Sequence, residues 1–192
     1  MVNLVHGVGI NDRSRPAKIE GKLCKEYNLW TSMLNRVYSK TELLRRPNYI
    51  GCSVSDDFKY YHIFYEWCQS QIGFNLPNFT LDKDLIIRCN KLYSKDTCVF
   101  IPVAINSLLT KRTLDRGPFP IGVHKYREKF RSQCSTSNGR IHLGTFDTPE
   151  LAFQAYKTFK EAYIKEQAEL YKDSIDPRAY LALLNYEVDI DD

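Results

Sequence analysis

Several protein classes are excluded by what the chain has little of. Its six cysteines (Cys24, Cys52, Cys68, Cys89, Cys98 and Cys134) include no C-x-x-C pair and have no histidine at zinc-finger spacing. Neither a disulfide framework nor a structural zinc motif is indicated, and most are expected to be reduced, buried thiols. No stretch approaches the roughly 18 consecutive apolar residues of a membrane span. The opening MVNLVHGVGINDRSRP lacks the basic-then-apolar order of a secretory leader. A soluble, intracellular protein with no membrane partner is therefore expected. Imidazoles are scarce as well: His6, His62, His124 and His142 are the whole supply, which limits where a histidine base can lie.

What is present suffices for one domain of usual size or two small ones, since 43% of the 192 residues are hydrophobic. The net charge of +4 is unevenly placed. Residues 111–146 carry eight Lys or Arg against Asp115 and Glu128, whereas 173–192 hold six acids against Arg178. A basic block followed by an acidic end points to a polyanion partner for the block.

Residues 1–24 mix Gly, Asp, Arg and Pro without periodicity and read as an irregular arm. Tyr27, Trp30, Leu34 and Val37 recur at helical spacing and predict a helix over 25–38. A second helix is expected over 58–72, with Tyr61, Phe64, Trp67, Cys68 and Ile72 along one face and Asp56 or Asp57 as its cap. Strand, polar loop, strand and short helix follow at 79–82, 98–101 and 103–109. Gly117, Pro118 and Pro120 mark 111–120 as a linker.

The clearest pattern lies beyond it, in a module over 121–172. IGVHKYR, KFRSQC and RIHLGTF read as three short strands, with the Asn-Gly of STSNG in the second turn. Alternation sends Phe130, Ser132, Cys134, Ile141 and Leu143 to one face and Arg131, Gln133, Arg140 and His142 to the other. Thr148, Pro149 and Glu150 then open a helix whose Ala152, Ala155, Tyr156, Phe159 and Tyr163 form an apolar stripe. That helix should cover the apolar face and leave a basic front of a size to enter a DNA groove.

This module resembles the ethylene-response-factor, or apetala-type, DNA-binding domain, through IGVHKYREKFRSQC and RIHLGTFDTPELAFQAY. The resemblance implies base contacts from His124, Tyr126, Gln133, Arg140 and His142, and phosphate contacts from Lys125, Arg127, Lys129 and Arg131. His124 and His142 stand where that family often has Arg and Trp, which puts its base preference in doubt.

The segment over 25–110 resembles phage-encoded HNH-type homing endonucleases, through YNLWTSMLNRVYS, YIGCSVSDDF, LDKD and YSKDTCVFIPVAINSLL. By that resemblance Asp82 is the metal-side and catalytic carboxylate, and Asn106 a second metal ligand. Thr97 takes the place of the mid-motif Asn, and Lys83 stands where the catalytic His belongs. A lysine acting as base would need its pKa to fall from about 10.4 to about 7, or roughly 4.6 kcal/mol, beside two carboxylates that favour its charged form. Lys83 is better suited to contact phosphate.

The expected fold is thus α+β. A small, degenerate HNH-like strand-strand-helix module with preceding helices is linked to a three-stranded antiparallel sheet backed by a helix, and 173–192 form an acidic tail. The expected function is sequence-reading binding of double-stranded DNA by a homing-endonuclease relative in a phage-infected bacterium. No cofactor is required for binding. The alternatives are an active endonuclease using Mg or Mn, and an interaction protein that engages a host protein.

Overall fold

Inward-facing apolar side chains one helical turn apart define the first helix. Trp30, Met33, Leu34 and Val37 are buried on α1 (Lys25–Tyr38), and Trp30 donates its Nε1–H to the Phe58 carbonyl at 2.8 Å. The computed structural model describes residues 4–110 and 118–190 of an α+β chain that divides into two units, Met1–Ile101 and Pro102–Asp192.

In the first unit β1 (Lys18–Ile19) and β2 (Lys22–Leu23) form an antiparallel hairpin ahead of α1. After α1 come α2 (Lys40–Arg45), a 3-10 turn at Pro47–Tyr49, β3 (Ser53–Val54), α3 (Asp56–Lys59), α4 (Tyr61–Ser70), β4 (Phe79–Asp82), β5 (Leu92–Tyr93) and β6 (Val99–Pro102). β3 pairs in parallel with β5, and β4 pairs with β6. Phe58, Tyr61, Phe64, Cys68, Phe74 and Phe100 close the core around Trp30.

The helix expected over 58–72 is two helices, and the break has a non-local cause. Ile10 bridges Tyr60, its N–H reaching the Lys59 carbonyl at 2.8 Å while Tyr61 N–H donates to the Ile10 carbonyl at 2.9 Å. The arm thereby takes backbone groups that a continuous helix would have paired internally. It is also packed: a Cβ at Gly9 would fall 2.4 Å from Leu34 and 2.8 Å from Trp30, and Tyr61 donates its hydroxyl to the Pro16 carbonyl at 2.8 Å.

The second unit contains α5 (Val103–Leu109), an antiparallel sheet of β7 (Val123–Tyr126), β8 (Lys129–Thr136) and β9 (Gly139–Phe146), then α6 (Pro149–Leu170), a 3-10 turn at Lys172–Ser174, and α7 (Pro177–Leu184). α5 belongs here because it packs on α6, so the units divide between Ile101 and Pro102, ahead of the expected linker. Of that linker, 111–117 lie outside the described residues. α6 starts where its cap predicts, with the Thr148 Oγ1 accepting from Leu151 N–H at 3.3 Å.

The sheet-facing stripe of α6 is only part of its buried surface. Ala152, Phe153 and Tyr156 join Val123 and Cys134 in one core, while Lys160, Ile164, Gln167 and Ala168 are also buried; Ala155, Phe159 and Tyr163 lie half-buried at the flank. The cause is the acidic C-terminal segment, which is no free tail. α7 packs on α6 with Ala179 and Leu183 buried, and Val188 enters the sheet–helix core. Lys157 Nζ donates to the Val188 carbonyl at 2.6 Å, and Val188 N–H donates to Glu161 Oε1 at 2.8 Å.

No two cysteines are joined: Cys24, Cys68, Cys98 and Cys134 are buried, Cys52 is half-buried and Cys89 exposed. No helix among the described residues is long and apolar enough to cross a membrane.

Candidate nucleic-acid interface

Cross-strand register decides which side chains share a face. β8 is central, with His124 opposite Arg131 and Tyr126 opposite Lys129 on one side, and Gln133 opposite His142 and Ser135 opposite Arg140 on the other. His124, Tyr126, Lys129, Arg131, Gln133, Arg140 and His142 therefore lie on the face away from α6. Val123, Ser132 and Cys134, on the other face, are buried.

A β-bulge re-phases the third strand. Register slips between Ser132 and Gln133, so that Ile141 and Phe146, five residues apart, both fall on the helix side, and Thr145 joins the front opposite Arg131. Gly144 permits this at φ 137°, where a Cβ would meet the Phe146 ring at 2.9 Å. Alternation extends the front from Gln133 to Ser135 but does not place Thr145 there. A glycine inside a strand pattern, in HLGTF, was the available signal.

The front is held in place from behind and from within. Gly122, at φ 79°, lies so close under Tyr156 that a Cβ would meet the ring at 2.1 Å. Tyr163 on α6 pins the β8–β9 turn, its hydroxyl accepting from Ser137 N–H at 3.1 Å. The Arg131 guanidinium lies 3.8 Å from the centroid of the Tyr126 ring, and its buried Nε–H has no hydrogen-bond partner. Stacking on an aromatic face fixes the plane of the guanidinium and leaves its outer nitrogens to a ligand.

Two of the expected phosphate contacts are placed differently. Lys125 is opposite Phe130, with its ammonium 4.7 Å from that ring's centroid, so it lies at the edge of the helix-side face. Arg127 occupies the β7–β8 turn at φ 54°, with its guanidinium 5.6 Å from Tyr126. Lys129 stays on the front and pairs with Asp147 at 2.9 Å.

In the first unit the LDKD stretch is bound up with its own loop. Asp82 Oδ1 accepts from Asp84 N–H at 3.0 Å and Leu85 N–H at 2.8 Å. Burial, helped by the Asp84 charge, pushes the Asp82 carboxyl up to about 6 against those two hydrogen bonds. Lys83 is 8% exposed, and its ammonium donates to Asp84 Oδ2 at 2.9 Å and to the Asn90 carbonyl at 3.1 Å. Burial works against that ammonium, but the Asp84 carboxylate outweighs it and holds the lysine above its usual value. Lys83 thus stays charged, as its carboxylate neighbours imply, but it is not presented to an outside phosphate, which corrects the phosphate contact expected of it. Thr97 is buried and braces the turn, donating its hydroxyl to the Leu92 carbonyl at 2.7 Å.

These residues do not fit a divalent cation as they stand. Magnesium or manganese needs converging oxygen donors, whereas one Asp82 oxygen is taken by backbone N–H groups and Asp84 by Lys83. Asn106 belongs to the second unit. No group of three or more His, Cys, Asp or Glu among the described residues is placed to hold a metal ion. His62 lies with Nδ1 2.9 Å from Asp12 Oδ2. No family model, curated protein or solved structure matches the chain, so the functional reading rests on its own residues.

Proposed function

We propose that the protein binds double-stranded DNA through the exposed face of β7–β9, and that its first unit is a catalytically degenerate relative of phage HNH-type homing endonucleases. The observation that carries the DNA-binding reading is the collection of His124, Tyr126, Arg131, Gln133, Arg140 and His142 on one face, away from the helix; the kinship of the first unit rests on its sequence resemblance alone. Three strands at about 4.8 Å spacing span roughly 10 Å, within the roughly 12 Å width of the DNA major groove. Arg131 and Gln133 lie on the central strand, where Arg pairs naturally with guanine and Gln with adenine edges. Arg140, His142 and His124 flank them, and Lys129 at the end of the face is suited to the phosphate chain.

Arg131 gains a second role beyond the phosphate contact expected of it. Its stacked, half-buried guanidinium at the middle of the front favours base reading, whereas a positioning contact at the rim needs no such restraint. Selection of bound sequences from a randomised duplex pool tests this. Arg131→Ala should relax the selected sequence at one or two positions, while Lys129→Ala should weaken all sequences alike. Equal enrichment profiles for wild type and Arg131→Ala would overturn the assignment.

A further inference from the structure

The front has an unusual charge make-up for a surface that meets a polyanion. Its permanent cations are Lys129, Arg131 and Arg140, and Lys129 is already paired with Asp147 at 2.9 Å. Two more of its side chains are imidazoles, His124 on β7 and His142 on β9, and both are exposed. Histidine is the side chain whose charge ordinarily changes between about pH 5 and 8. Protonating both would take the face from three cationic side chains to five.

Strand register gives the neighbours of each imidazole among the described residues of the sheet. Across the sheet His124 meets Arg131, with Tyr126 two residues along its own strand; His142 meets Gln133, with Arg140 two residues along. α6 packs on the opposite side of the sheet and contributes nothing to this face. Acids adjoin the face in the chain at Glu128, in the β7–β8 turn, and at Asp147, which pairs with Lys129. None of the strand residues on the face is a carboxylate. A protonated imidazole here therefore finds its counter-charge on a bound phosphate chain, and proton uptake becomes coupled to DNA binding.

Resting on the DNA-binding reading above, we propose that His124 and His142 make the affinity of this face for duplex DNA pH-dependent, with each taking up a proton as it engages the phosphate chain. Fluorescence anisotropy with a labelled, random-sequence duplex of about 20 base pairs, titrated with the full chain at pH 8 and pH 5.5 over a range of salt, tests it. Affinity should be at least about tenfold higher at pH 5.5. The log–log salt slope should be steeper there by about 1.8, since each added phosphate contact contributes roughly −0.9. In the His124→Gln/His142→Gln variant the ratio of affinities at the two pH values should collapse towards one, and each single variant should keep about half of the change in slope. Equal salt slopes at both pH values in the wild type, or a pH ratio that survives in the double variant, would overturn the proposal while leaving DNA binding intact. Absence of duplex binding at either pH would overturn both.

Discussion

A half-buried carboxyl and a buried amine make opposite predictions about stability. The Asp82 carboxyl, pushed up to about 6 by burial and the Asp84 charge, holds its proton more tightly in the folded chain than in the unfolded one. Its contribution is thus fully present below about pH 4 and is lost as pH rises through about 6. Asp82→Asn keeps a carbonyl oxygen for the N–H groups of Asp84 and Leu85 and removes the penalty. Urea unfolding should show the variant more stable at pH 7.5, on the order of 1 kcal/mol, with the decline between pH 4 and 6 flattened. Lys160 is the converse: burial on α6 holds its amine below the ordinary lysine value, against the lesser opposing effect of Cys134. Between that lowered value and 10.5 the unfolded chain binds the proton better, so stability climbs with pH through the window. Lys160→Met should stabilise the protein at pH 7 by about 1 kcal/mol or more and flatten the climb, as read by thermal melts from pH 7 to 10. A less stable Met variant would show that the ammonium has a partner worth more than its burial costs. In the sequence Asp82 stood out only as a would-be metal ligand and Lys160 not at all; the burial that shifts each is set by packing and leaves no mark in the local pattern.

At the scale of elements, the parts legible in the sequence are those fixed by local pattern. α1 and α6 follow from apolar spacing and, for α6, from Thr148 and Pro149 at its start. The three strands of the second sheet follow from alternation and turn residues. What escaped is set by partners distant in the chain. Tyr60 breaks a helix because Ile10 pairs with it, and the two-residue strands β3 and β5 exist only because they meet each other. α7 had a readable start, since Asp176 caps it by accepting from Arg178 N–H at 2.7 Å and Pro177 follows. The strap beyond α7 makes a prediction of its own. Val188 is 4% exposed and gripped through both backbone polar groups by Lys157 and Glu161. Val188→Ala should cost about 1 to 2 kcal/mol, and removal of residues 186–192 should cost more, measured by denaturant unfolding. Truncation without loss would mean that the segment adds nothing to the fold of this unit.

For the molecule as a whole, the basic block and the acidic end separate in role. The acidic segment is largely absorbed by packing on α6, whereas the front of the sheet keeps its charge facing outward. Alternation in the sequence carried much of this face, including Gln133, Arg140 and His142. It did not supply the Tyr126–Arg131 stack, the place of Lys125 on the other face, or the bulge at Gly144, because each depends on register between strands. Lys83 shows the same limit in the first unit: its position suggested a phosphate contact, and its burial with the ammonium turned to Asp84 closes that route. The central claim is that the front of β7–β9 binds duplex DNA, and the most direct measurement is the salt dependence of that binding. With three to five phosphate contacts, the affinity for a duplex of about 20 base pairs should fall with a log–log slope between about −2.7 and −4.5. Arg131→Ala with Arg140→Ala should weaken binding at least tenfold, and Lys129→Ala should make the slope shallower by about 1. A salt-independent affinity, or an unchanged affinity in the double variant, would contradict the account.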